Sequence, residues 1–299
     1  MTSFKMKFAK WMTERQMRKP GMAFSGKMDT LKIRTMVQKS ATMQPAAKKV
    51  KYKQDKLNGI EVEISIPPNI MNENILVYIH GGGFICGTAR TSRGYASQLA
   101  DEAGMIVYSL TYRLAPEHPF PAGLDDCYTF YIALLQKYPD KKIFLIGESA
   151  GANLLVALTL KAKDEGIKLP TALVGYSGPY DFTGKFDRTR FSATDKCISA
   201  DAEVAFKDIY FPNTDSAHPY ISPVNASLQG FPPIKMVTDS GEVLSDDSRL
   251  FAQNAQNVGV EVELQEWSGT FHAFPIAGRA TKESNQVLKE TVQFIQKYL

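Results

Sequence analysis

Cysteine is scarce in this 299-residue chain: Cys86, Cys127 and Cys197 stand far apart and form no C-x-x-C pair. That spacing argues against a disulfide framework and a thiolate zinc site, and it suits a reducing compartment. Long apolar runs are missing too. None approaches the roughly 20 residues that a bilayer-spanning helix needs. The N-terminus has basic residues threaded through it where a secretory signal keeps an uninterrupted apolar stretch. A cytoplasmic protein is the expectation. Net charge is only +4, and the excess crowds into Lys5, Lys7, Lys10, Arg15, Arg18, Lys19, Lys27, Lys32 and Arg34. No nucleic-acid-binding signature accompanies that segment, so nucleic acid is not an expected partner. No cluster of metal-ligating residues and no nucleotide-binding loop stands out, so no metal site is expected.

What is present is ordinary globular composition, 44% hydrophobic and 22% charged, enough for one large core with an accessory cap. The organising stretch is Lys142 to Leu155, KIFLIGESAGANLL. Residues 143–146 form a short apolar run of the kind that makes a central parallel strand. From Ala150 the sequence reads as a helix with Leu154, Leu155 and Leu158 on its apolar face. Between them lies Gly147-Glu148-Ser149-Ala150-Gly151. A serine on so sharp a strand-to-helix turn sits in a strained backbone conformation, and glycines two positions to either side leave room for strand and helix to approach. Ser149 is the candidate nucleophile.

Along the chain, Phe4, Phe8, Trp11 and Met12 recur at helical spacing with lysines and Glu14 between them, which predicts an amphipathic helix from residue 3 to about 18. Its expected role is a cap packed over a pocket of the same molecule. A membrane interface is the alternative, since basic and aromatic residues share one short helix. After Pro20-Gly21 a second short helix is expected over 29–38. From Val50 the period becomes two, and 50–53 and 59–66 read as an antiparallel edge pair. Further strands are expected at 75–79, 105–109, 143–146, 172–176, 234–239 and 260–266, with helices near 93–102, 124–137, 150 onward, 245–257 and 281–299. Such alternation predicts an α/β fold with a mostly parallel sheet covered on both faces. Residues 183–220 hold phenylalanines, two short helical stretches and Pro212 but no strand, and read as an insertion. The expected organisation is N-terminal cap helices at 1–45, an α/β core at 46–182 and 221–299, and a cap insertion at 183–220.

A serine hydroxyl is a poor nucleophile at neutral pH. It needs a base, and the base needs an orienting acid. Of the four histidines, His80 precedes three glycines and His118 lies in PEHPFP, both structural in this reading, and His218 sits beside Pro219 in the insertion. His272, on the loop after the last strand, is the candidate base. The acid should follow the second-last strand, where Asp239, Glu242, Asp246 and Asp247 compete. Asp246 and Asp247 stand at a helix start, where carboxylates cap unpaired amides. Glu242 has no such role and is the candidate acid. The negative oxygen that develops in acyl transfer wants fixed backbone N–H donors, and Gly81-Gly82-Gly83 can bring them close because no Cβ intervenes. Gly82 and Gly83, with the Ala150 amide, are the expected oxyanion hole. All of these fall at the carboxyl ends of strands, where reactive groups gather in such sheets.

HGGGF at 80–84, YRLAPEHPFPAGLDD at 112–126, GESAG at 147–151, GEVLSDD at 241–247 and FHAF at 271–274 together resemble the hormone-sensitive-lipase-like branch of the α/β-hydrolases in its compact microbial form. The resemblance runs from about Val50 to the C-terminus. It implies an eight-stranded α/β-hydrolase sheet with a small helical cap, no cofactor, and hydrolysis of small-molecule carboxylic esters with short acyl chains. It also supports Glu242, because the family's D-P-L-x-D motif lays over Glu242-Val243-Leu244-Ser245-Asp246. Glu242 and Glu148 each occupy a place where the family usually has Asp. Two other readings stand beside the esterase. The same parts could cleave small aryl amides, or the chain could be a catalytically silent small-molecule-binding relative, which the intact Ser149 and His272 argue against.

Overall fold

The structure, a computed structural model, describes residues 2–299, with side chains for all of these except 41–43. Eight strands are formed by β1 (Lys51–Leu57), β2 (Ile60–Ile66), β3 (Ile75–Ile79), β4 (Ile106–Leu110), β5 (Ile143–Glu148), β6 (Ala172–Tyr176), β7 (Ile234–Asp239) and β8 (Val262–Trp267). They join in one sheet in the order β1-β2-β4-β3-β5-β6-β7-β8. β1 and β2 pair antiparallel across a two-residue turn, Asn58-Gly59, in which both residues have positive φ, the geometry that suits a tight hairpin. β2 is antiparallel to β4, and every other pairing is parallel. The expected edge pair and the mostly parallel sheet are both present.

The period of two divides each central strand between two cores. Ile75, Val77 and Ile79 of β3 pack on one face, while Leu76 and Tyr78 pack on the other. The helices are α1 (Phe4–Met17), α2 (Thr30–Met43), α3 (Arg93–Ala103), α4 (Ala122–Lys137), α5 (Ala150–Asp164), α6 (Ala202–Ile209), α7 (Ser245–Asn257) and α8 (Lys282–Gln296). α4, α5 and α7 supply the first core, and α3 and α8 the second. A sheet covered on both faces needs strands that are apolar on both sides, and β3, β5, β6 and β7 are buried along their whole length.

Two departures from expectation have local causes. β8 begins at Val262 and not at 260, because Gly259 turns with φ +82 and the Val260 N–H returns to the Ala255 carbonyl to close α7. Helix α1 forms where expected, but it rests on the body through Met6 and Met17, and Phe4, Phe8, Trp11 and Met12 face solvent. Its start is tied down by Ser3, whose hydroxyl donates to Glu283 Oε2 at 2.7 Å. The segment after α1 meets the 183–220 insertion in a single parallel bridge: Phe24 N–H donates to the Cys197 carbonyl at 3.1 Å, and Ser199 N–H to the Phe24 carbonyl at 3.0 Å. Among the described residues no helix is long and apolar enough to cross a membrane.

Candidate active site

Ser149 is the one residue between β5 and α5, and its φ of 52° and ψ of −123° put it in a conformation that L-residues rarely adopt. The flanking glycines are required by space. A Cβ on Gly151 would stand 2.1 Å from the Ile79 carbonyl oxygen, and one on Gly147 would stand 2.7 Å from the Gly151 backbone. The elbow therefore holds Ser149 at the carboxyl end of the central strand with α5 running away beneath it.

The loop after β7 carries Glu242, the loop after β8 carries His272, and both return to this point. His272 Nε2 lies 2.9 Å from Ser149 Oγ, and His272 Nδ1 lies 2.7 Å from Glu242 Oε2. An ionised carboxylate can only accept, so Nδ1 carries the proton and Nε2 is left to accept from the serine hydroxyl. Electrostatics favour an ionised Glu242. Burial pushes the Glu242 carboxyl up, but the hydrogen bond and charge of His272 outweigh it and hold Glu242 below the usual range. Burial likewise depresses His272, yet the bond to Glu242 leaves the imidazole raised above 6.5. Around the pair, Glu242 Oε1 accepts from the Thr238 hydroxyl and, at 3.1 Å, from the Asp239 N–H. Among the described residues no group of His, Cys, Asp and Glu is arranged to hold a metal ion.

Two further carboxylates fix these loops. Asp239 Oδ2 accepts from both the N–H and the hydroxyl of Thr270 at 2.7 Å, and Oδ1 accepts from Gly241 N–H at 2.9 Å. It clamps the histidine loop to the acid loop. Asp195, from the insertion, accepts from Val243 N–H at 3.0 Å through Oδ2, and from Cys197 and Ile198 N–H at 2.8 and 3.1 Å through Oδ1. Asp239 was visible as a strand-ending carboxylate. Asp195 gave no sign of its link to the acid loop, because Val243 lies 48 positions away.

The loop after β3 presses against the elbow. Gly82 and Gly83 have φ of +104° and +59°, and no hydrogen bond from the Gly82, Gly83 or Ala150 amide forms among the described residues. Glu148 anchors this loop from below: its Oε1 accepts from Gly81 N–H at 2.8 Å and its Oε2 from the Tyr78 hydroxyl. Burial pushes the Glu148 carboxyl up to about 7, against the pull of those two donors. His80 is structural, as expected, stacked on Tyr112 at 4.2 Å and depressed to about 4 by burial. Beside Ser149 opens a narrow, almost wholly apolar pocket walled by Phe84, Phe182 and Leu244 of the core, Ile198 and Phe206 of the insertion, and Phe24 of the N-terminal segment.

The capping role expected of Asp246 and Asp247 is not what the structure contains. α7 has no side-chain cap, and both carboxylates turn to arginines of the insertion. Asp247, fully buried, receives Arg188 Nη1 at 2.7 Å and the Tyr180 and Asp181 N–H groups at 3.0 Å. Asp246 pairs with Arg190 and, at 2.8 Å, with Arg249. For Asp247 the buried Arg188 guanidinium offers more than a helix terminus can, because it is a full charge with several aimed donors.

Comparison with known proteins agrees with this architecture. Residues 76–276 match a family described as having the alpha/beta hydrolase fold. The chain is 36% identical over 212 residues to an acetyl-hydrolase of Streptomyces hygroscopicus, covering 70% of this chain and 71% of that protein. It is 30% identical over 265 residues to an esterase of Acinetobacter venetianus, covering 88% and 87%. In three dimensions it resembles the crystal structure of an esterase from the bacterial hormone-sensitive lipase family, with a TM-score of 0.92, 28% identity, and coverage of 100% of this chain and 99% of the other.

Proposed function

This chain belongs to the hormone-sensitive-lipase-like family of α/β-hydrolases and is a serine-hydrolase carboxylesterase, and from that premise we propose that Ser149, His272 and Glu242 are its catalytic triad and short-chain acyl esters its substrates. The observation that carries the reading is the unbroken line of hydrogen bonds from Ser149 Oγ through the imidazole to Glu242, 2.9 and 2.7 Å long.

In this mechanism Ser149 Oγ attacks the ester carbonyl while His272 Nε2 takes its proton. Glu242 stays ionised, holds the tautomer and stabilises the imidazolium. The negative oxygen of the tetrahedral intermediate is received by the Gly82, Gly83 and Ala150 amides, which are free for it and need no reorganisation. His272 returns the proton to the departing alkoxide oxygen, leaving an acyl-serine. A water then attacks that ester, giving its proton to His272, and collapse of the second intermediate releases the carboxylic acid and restores Ser149.

Residues 1–45 and 183–220 form the cap over a core of 46–182 and 221–299. The Phe24 to Ile198 bridge supports this, as does the contribution of both segments to the pocket wall. A narrow apolar pocket closed by Phe24 and Phe206 favours short acyl chains, and the acetyl-hydrolase among the relatives agrees with that size. The test is a series of p-nitrophenyl esters from acetate to laurate. The expected result is highest kcat/KM at about two to six acyl carbons, since a pocket of fixed depth gains about 0.8 kcal/mol per buried methylene only until it is full. Faster turnover of laurate than butyrate in clear solution would sink the proposal.

A further inference from the structure

Helix α1 has two apolar faces. Met6 and Met17 are buried against the body, whereas Phe4, Phe8, Trp11 and Met12 are exposed by 83, 55, 50 and 47%. At the helical repeat these four side chains share one outward arc of about 100°. Arg15 stands within it, its guanidinium 5.3 Å from the centre of the Trp11 ring. By the same repeat Lys5 flanks the arc on one side, and Lys7 and Arg18 on the other. From Phe4 to Lys19 the segment carries six basic side chains and one acid, Glu14.

Exposed aromatic rings in a contiguous strip mark a surface that something covers. The charge decides what. A second copy of the chain docked face to face would bring Lys5, Lys7, Arg15 and Arg18 against their own equivalents, which like-charge repulsion opposes. The headgroup layer of an anionic bilayer accepts the same pattern. Rings settle at the apolar boundary, and lysine and arginine stems reach outward to lipid phosphates.

We propose that α1 is an interfacial helix that docks this enzyme on anionic lipid surfaces through Phe4, Phe8 and Trp11. Docking does not require the helix to leave the protein, because Met6, Met17 and the Ser3 to Glu283 bond hold its inner side. The segment continues to Phe24 in the wall of the pocket beside Ser149. Lipid contact and pocket lining thus belong to one stretch of chain.

The experiment is co-sedimentation of the full chain with vesicles of phosphatidylcholine and phosphatidylglycerol, and with vesicles of phosphatidylcholine alone, at low and high salt. A Phe4→Ser/Phe8→Ser/Trp11→Ser variant is run beside wild type. Wild type is expected to pellet with the anionic vesicles and to lose binding as salt rises. The triple variant is expected to bind about tenfold or more weakly, with Tm and p-nitrophenyl butyrate turnover unchanged. Failure of wild type to bind anionic vesicles, or equal binding by the variant, overturns the proposal. So does a wild-type dimer in light scattering that the three substitutions dissolve, since that outcome gives the face to a second copy.

Discussion

At the scale of single residues, the competition among the four carboxylates after β7 turns on what each one faces. Glu242 reaches the imidazole, Asp239 clamps two loops, and Asp246 and Asp247 face arginines of the insertion. Glu242→Ala is therefore expected to lower kcat by a factor on the order of 10⁴, with Asp246→Ala close to wild type. Asp247→Ala leaves the Arg188 charge buried without its nearest anion, and is expected to cost about 3 to 5 kcal/mol of stability. Measuring kcat and Tm for the three variants separates the roles, and a normal kcat in Glu242→Ala would move the acid elsewhere. Glu148 gives a pH-dependent test. Burial raises its carboxyl from 4.5 to about 7, so the folded protein holds that proton more tightly than the unfolded chain does. Stability from this group is then full below 4.5 and is lost as pH climbs towards 7, by on the order of 3 kcal/mol. Glu148→Gln keeps an acceptor for Gly81 N–H and does not titrate. Its Tm relative to wild type is expected to rise between pH 4.5 and 8; a constant difference across that range would show that Glu148 is ionised at little cost.

At the scale of elements, what could be read from sequence was whatever leaves a local pattern. The strand-turn-helix around Ser149, the edge hairpin and the buried central strands each carry their own period, and each lies where that period predicts. The sequence also brought Ser149, His272 and Glu242 to notice through loop position and chain order. Contacts between distant segments left no such trace. Arg188 and Asp247 are 59 positions apart, and nothing near either one announces the other. Helix α1 was legible as a helix but not in its orientation, because apolar residues occupy two of its faces and periodicity alone does not say which one packs. Asp195 is the same kind of case, an insertion residue satisfying three backbone amides, one of them on the Glu242 loop. Asp195→Ala leaves those donors without an acceptor and is expected to cost about 1 to 3 kcal/mol. Because Val243 follows Glu242 directly, kcat should fall alongside Tm. Asp195→Asn, which keeps the acceptor at one position, is expected to recover part of both; Tm and kcat unmoved in Asp195→Ala would remove the insertion from the support of the acid loop.

At the scale of the whole molecule, the sheet brings four loops to one end, and two distant parts of the chain, around Phe24 and around Ile198 to Phe206, meet at the pocket beside them. Strand count and direction could be argued from alternation, but the pocket depends on how Phe24, Ile198 and Phe206 meet over Ser149, a packing result that no single segment encodes. Phe206 is the natural lever on size. Phe206→Ala removes a ring from the wall and is expected to shift the preferred acyl chain to longer esters, while an unchanged profile would mean that another group sets the depth. All of this rests on one chemical event, the formation of a covalent bond at Ser149. Peptide mass mapping after reaction with a p-nitrophenyl alkylphosphonate tests it most directly. The account predicts a single adduct on Ser149 in wild type, with no adduct and no ester hydrolysis in a folded Ser149→Ala protein. An adduct on any other residue, or wild-type turnover in Ser149→Ala, would contradict it.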